Sequence, residues 1–208
     1  MKKLSAFWQK NRIVLIIFLS ALTVSLLVIK KYITLNNDLL IAGLCVNVTM
    51  EKAATDALNA HCQELLSQGE KYEKVLLSHT TLDSFSQANL RYKDNLHVLT
   101  TITSLTEAKQ LDYLLMDQLA LEILIKQETL LDLRQFFTEE QLQEMSDRMI
   151  YVRSSEMDVS ESYPVAVDVT ALPFILEKAQ SPDKVYFGIA EKTPRIEAVR
   201  LVWAYLNQ

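Results

Sequence analysis

Apolar residues run along this chain in three textures. From Ile13 to Ile29 they are unbroken: IVLIIFLSALTVSLLVI, seventeen residues without a charge, Gly or Pro. From Thr49 to about Met149 they recur at helical spacing. Beyond residue 150 they alternate with polar positions.

The first texture predicts a membrane anchor. A helix rises ~1.5 Å per residue and a hydrocarbon core is ~30 Å thick, so the run sits at the short end of the spanning range. Lys10 and Arg12 before it, and Lys30 and Lys31 after it, can snorkel to the headgroups. Phe7 and Trp8 fit an interface. A cleaved signal peptide needs small residues just past the run, and Val28-Ile29-Lys30-Lys31-Tyr32 makes a poor cut site. Ala42-Gly43-Leu44-Cys45 faintly resembles a lipobox, but Leu44 is large and the motif lies far from the run. Lys2, Lys3, Lys10 and Arg12 outnumber the two trailing lysines. The basic bias therefore puts the amino terminus inside and the body outside the cytoplasm. Ala21 and Ser25 have the small-xxx-small spacing that lets anchor helices pair.

The middle texture predicts long helices. From residue 33 to 150 there are two glycines, Gly43 and Gly69, and no proline. Thr49 precedes a stripe of Met50, Ala54, Ala57, Leu58 and Leu65 that stops at Gly69. Leu82, Phe85, Ala88, Tyr92, Leu96 and Leu99 make a second stripe. Ser104-Leu105-Thr106-Glu107 reads as a capping box opening a helix to about Phe137. That segment is apolar on several sides around Leu111–Ile125, as a helix packed against several others would be. Thr138-Glu139-Glu140-Gln141 is a second capping box, for a short helix to about Met149. Leu39–Leu44 is apolar but too short to span again, and reads as the anchor helix continuing into a stalk.

All four prolines fall after residue 163, and the tail has strand character. Val165, Val167 and Val169 alternate with polar or small residues, and so do Val185, Phe187 and Ile189. Met149–Arg153 makes a third, shorter strand. Leu172–Ala179 fits a two-turn helix, and Ser181-Pro182-Asp183 a turn. Residues 194–206 favour helix, with Thr193 as N-cap and Pro194 first inside. Alternation of Val199, Leu201, Trp203 and Tyr205 leaves strand open. The expected fold is mainly α: a cytoplasmic tail over 1–12, one transmembrane helix over 13–31, a helical bundle or coiled-coil stalk over 32–150, and a small α+β module over 151–208.

Charge narrows the partners. Residues 1–31 hold six basic groups and no acid, leaving 15 basic against 26 acidic residues, a formal −11, over 32–208. Such a body repels phosphates, which excludes nucleic acid as a partner. Cys45 and Cys62 are the two cysteines. On one helix they would lie ~25 Å apart, too far for an internal bridge, so two buried thiols are favoured over an intermolecular disulfide.

Candidate chemistry is sparse. The chain has no CxxC, HExxH, GxSxG or P-loop pattern, and three glycines in all. His61, His79 and His97 recur every 18 residues, and His61 with Cys62 and another His would be the only metal set to weigh. Solvated or half-buried histidines are the simpler reading. Asp112, Asp117 and Glu122 are spaced by five, which spreads them round a helix as surface charge, and Glu122 with Lys126 is an ordinary i,i+4 pair. Asn47-Val48-Thr49 matches a glycosylation sequon, but the MKK start and lean composition look bacterial, so it reads as chance. No catalytic, cofactor or metal residue is nominated.

The order of anchor, stalk and small terminal module is similar in outline to the inner-membrane platform subunits of type II secretion and type IV pilus systems. The likeness is one of domain order and carries over no site residue. It implies a non-catalytic, single-pass scaffold or assembly subunit of a bacterial envelope complex. Its partners would be other membrane or envelope proteins, a second copy, and the bilayer through residues 13–29. The alternative is an extracytoplasmic helical-bundle sensor or regulatory subunit working through a membrane partner.

Overall fold

A computed structural model describes residues 12–37, 39–69, 73–82, 92–153, 162–180 and 184–208. The chain divides into two units, Met1–Asp38 and Leu39–Gln208.

The described residues of the first unit form one helix, α1 (Arg12–Asn37). Its side chains are described from residue 17 to 29, and all of these are exposed. The Ser20 and Thr23 hydroxyls fold back onto the Ile17 and Leu19 carbonyls at 2.8 Å each. Among the described residues no helix is long and apolar enough to cross a membrane. The expected single-pass anchor and inner-membrane placement are corrected accordingly. Phe7, Trp8 and residues 1–11 lie outside the described residues.

The second unit corrects the mainly-α, coiled-coil expectation. Among the described residues helices and strands are mixed, and a six-stranded mixed sheet organises the second unit. The strands are β1 (Leu39–Val46), β3 (Lys74–Thr80), β4 (Tyr113–Met116), β5 (Met149–Arg153), β6 (Ser162–Asp168) and β8 (Tyr186–Ile189). Two short strands, β2 (Thr49–Met50) and β7 (Ala179–Gln180), pair with each other. The sheet order is β3-β1-β4-β8-β6-β5. β1 runs parallel to β3 and β4, while β4–β8, β8–β6 and β6–β5 are antiparallel.

Helices cover both faces. One face carries α2 (Lys52–Leu66), α6 (Pro173–Lys178) and α7 (Ile196–Leu206), whose Leu58, Ile175 and Val202 pack on Ile41, Cys45 and Phe187. The other carries α3 (Tyr92–Glu107) and α4 (Gln118–Lys126), whose Ile102, Leu121 and Leu124 pack on Leu44, Leu114 and Met116. Fully burying a Leu or Phe side chain contributes ~1.5–3 kcal/mol, and Leu115 and Phe187 are wholly buried mid-sheet. A short α5 (Glu139–Glu144) lies between β4 and β5 in the chain.

Local causes explain each departure from expectation. Leu39–Val46 is a strand because it is covered on both faces, so its apolar run never alternates. Ser104–Glu107 closes α3 instead of opening a helix: Lys109 takes a left-handed φ of 58°, and its N–H bonds back to the Thr106 carbonyl. Leu111–Ile125 is apolar all round because it holds buried β4 and then α4. Thr49 belongs to β2, and α2 begins after Glu51 without a side-chain cap. The Thr138–Gln141 capping box is formed. β5, β6, β8, α6 and the helix at 196–206 form, although Arg195 and not Thr193 holds the N-cap position of α7. The tail strands are not a separate layer, because β8 inserts between β4 and β6. Phe85, Ala88 and Ser181-Pro182-Asp183 lie outside the described residues.

Candidate functional site

The connections single out one position. The chain leaves β1 through α2 on one face to reach β3, then crosses through α3 on the opposite face to reach β4 on the other side of β1. In open sheets of this kind ligands sit outside the carboxyl ends of the strands where the winding reverses. Here that place is the end of β1 and β4, where Asn47 and Asp117 stand.

These two residues are bound to each other. Asn47 has a left-handed φ of 59°, which an Asn tolerates better than a branched residue. Its Nδ2 donates to Asp117 Oδ2 at 2.9 Å, and its Oδ1 accepts from the Leu82 N–H at 2.5 Å. Asp117 Oδ1 accepts from the Ala120 N–H at 2.8 Å and so caps α4. Both polar atoms of each side chain are thus partnered across the crevice, and the Asn47 amide nitrogen, that of the sequon, makes one of these bonds. His79, at the end of β3, accepts a long 3.5 Å bond from the Met50 N–H through Nε2.

Farther along the same rim Asp168 accepts from the Thr170 hydroxyl at 2.6 Å and pairs with Lys184 at 3.0 Å. Burial alone would raise its pKa; the bonds from Thr170 and Lys184 outweigh that and hold the carboxyl below its ordinary value. The same bond to Asp168 raises Lys184.

The opposite rim holds the most buried charge. Asp112, with no exposed surface, immediately precedes β4. Its carboxylate accepts from the Ala42 N–H at 2.7 Å, from the Thr193 hydroxyl at 2.5 Å and from Arg195 Nε at 2.8 and 3.0 Å. Arg195 also donates from Nη2 to the Lys109 carbonyl at 2.7 Å. The set clamps the start of α7 onto β1 and β4. Every partner is internal, which marks a structural node.

The thiols are sealed in the core. Burial pushes Cys45 up to about 12 and Cys62 up to about 11, so both stay protonated near neutrality and are poor nucleophiles. Tyr113, raised well above its usual value by burial first, lies over Gly43. A Cβ on Gly43 would come within 2.2 Å of the Tyr113 ring. Two surface grooves flank α3. One of about 310 Å³ runs beside β3 and is lined by Ser78, Thr80, His97, Thr101 and Leu105. The other, about 540 Å³, is lined by Thr100, Thr103, Ser104, Glu107 and Gln127.

The three histidines do not form one set. His61 stacks on Tyr205 at 4.8 Å, whereas His79, which accepts from the Met50 N–H, and His97 both line the smaller groove. Among the described residues no three His, Cys, Asp or Glu side chains could hold a metal ion. Asp112 and Asp117 are not helical surface charges: one is a buried clamp and the other a cap. Glu122 is exposed, and its Oε1 accepts from Gln118 Nε2 at 2.8 Å. Sequence reasoning missed Asp112, Arg195 and Asn47. A signal for the first was present, since a lone acid heads the apolar run Tyr113-Leu114-Leu115-Met116 and such a group is buried only when paired. Neither family models nor curated proteins nor solved structures give a match to this chain.

Proposed function

We propose that the chain performs no catalysis of its own and serves as an assembly subunit, a folded α/β body that other protein surfaces dock against. One observation carries this reading: at the place where the sheet's winding would favour a ligand, Asn47 and Asp117 are consumed by each other and by the Leu82 and Ala120 amides. The other reactive groups support it. Asp112 is saturated by internal donors, and the two thiols are buried and protonated. Open surface lies instead along the exposed rim of β3 and α3.

The test is the native mass of the full-length chain, isolated at its natural abundance. A complex of fixed stoichiometry is the expected result. A lone monomer carrying a bound small molecule would overturn the assembly reading in favour of a regulatory, ligand-responsive one.

A further inference from the structure

We infer that β3 is the edge along which a second copy of this chain adds, antiparallel, to make one continuous sheet across a two-fold axis. The inference rests on the assembly reading for its purpose but not for its geometry.

The two ends of the sheet are treated differently. β5, at one end, is guarded: its pairing with β6 is bulged at Ile150/Tyr151, faces Pro164, and ends on the charged Arg153. Bulges, prolines and charges are the devices by which sheets avoid edge-to-edge pairing. β3, at the other end, has none of them beyond its first residue. Residues 75–80 (VLLSHT) carry neither formal charge nor proline. The pairing of β3 with β1 is regular from Ile41/Val75 to Val46/Thr80. Among the described residues no strand lies outside it. Seven residues give a ~23 Å edge along which every second residue turns its main-chain donor and acceptor away from β1, and the chemistry these accept is another extended strand.

The flanks suit such an addition. Leu76 stands 46% exposed on this strand. Beside it the groove of about 310 Å³ is lined by Ser78, Thr80, His97, Thr101 and Leu105. Every second side chain of an added strand would point into that groove.

Charge selects the occupant. Residues 39–208 hold 15 basic and 25 acidic groups, a formal −10 once Asp38 is set aside from the 26 acids. Two such bodies repel through most of their surface. The β3 stripe from Val75 to Leu82, and the exposed Leu96, His97, Thr100, Thr101 and Ser104 of α3, contain no Asp, Glu, Lys or Arg. A second copy meets least repulsion here. With a two-fold axis at Leu77, Leu76 faces Ser78, Val75 faces His79, and Lys74 faces the neutral Thr80. No like charges are opposed. The isologous pairing closes on itself, whereas β3-to-β5 addition would propagate into a filament, and β5 is the edge that carries the guards.

The experiment uses the full-length chain. Sedimentation over a wide concentration range should show the mass doubling, and those amides of Lys74–Thr80 that face away from β1 should exchange rapidly when dilute and become protected when concentrated. Leu76→Lys should weaken association by about tenfold or more, because the two introduced lysines lie diagonal across the axis, and Ser78→Glu should do the same. A mixture of the two variants should associate again, since the lysine introduced in one chain then faces the glutamate introduced in the other. That recovery also shows that both variants are folded. A chain that stays monomeric, with the outward-facing 74–80 amides exchanging freely at every concentration, overturns the inference. So does a dimer indifferent to both variants. Either result leaves a mixed complex, and with it the assembly reading, untouched.

Discussion

Replacing Arg195 with Met should be the most damaging single change that leaves the apolar core intact. Asp112 has no exposed side-chain surface and Arg195 only 15%. Met fills much of the arginine's volume, so the change removes charge and donors rather than packing. The carboxylate would keep the Ala42 N–H and the Thr193 hydroxyl but lose both Arg195 contacts. Removing one partner of a buried pair costs ~3–5 kcal/mol, and the two retained bonds put the loss near the lower figure. For a body of this size each kcal/mol lowers Tm by ~2–4 °C, so about 6–12 °C is expected. Urea denaturation followed by circular dichroism measures it directly. Asp112→Asn in the Arg195→Met background should restore part of the loss, because a neutral amide no longer needs the guanidinium. The cycle should give a coupling of about 2 kcal/mol. A loss below ~1 kcal/mol, the worth of an exposed pair, would refute the buried clamp.

Gly43→Ala should destabilise by ~1–3 kcal/mol or more, since the new Cβ meets the Tyr113 ring at 2.2 Å, and thermal melts will show it. Asn47→Gly keeps the left-handed φ of 59° while losing two hydrogen bonds; Asn47→Ala loses both and adds strain, so Ala should be worse than Gly by ~1 kcal/mol in urea titrations. Cys45 and Cys62 should resist a thiol reagent in the native chain and both react once it is unfolded. Their raised folded values carry an alkaline signature. Below the unfolded value, 9.0, nothing is lost; above it the unfolded thiols ionise while the folded ones do not. Stability should then fall by ~1.4 kcal/mol per pH unit per thiol up to about 11 for Cys62 and 12 for Cys45. Double Ala replacement should remove the slope between about pH 9 and 10, below the range where Tyr113, Lys184 and Lys192, also raised in the folded chain, add their own.

The readable parts of the fold were those whose sequence alternates, whether half-exposed as in β5 or buried as in β6 and β8, where Val165, Val167, Phe187 and Ile189 are interleaved with smaller or polar residues. β5 alternates its burial, and the Thr138 box announces α5, so both stand where expected. What failed was the buried centre. Leu39–Val46 and Tyr113–Met116 are covered on both faces, and a strand of that kind has no period to distinguish it from a helix. β3 was hidden differently: as an edge strand it begins at a charge and alternates only weakly. Without these three strands the rest can only be assembled as helices. The site suffered the same way. Asn47 and Asp117, 70 residues apart, become neighbours only when β1 and β4 pair, and Asp112 meets Arg195 only when α7 folds back across their start.

β1 lies between β3 and β4, and the order of every other strand follows from that placement. In the isotopically labelled full-length chain, cross-strand nuclear Overhauser contacts from Ile41–Val46 to Val75–Thr80 on one side and to Tyr113–Met116 on the other are predicted. Sequential amide contacts of helical type through 39–46, with neither set of cross-strand contacts, would contradict it.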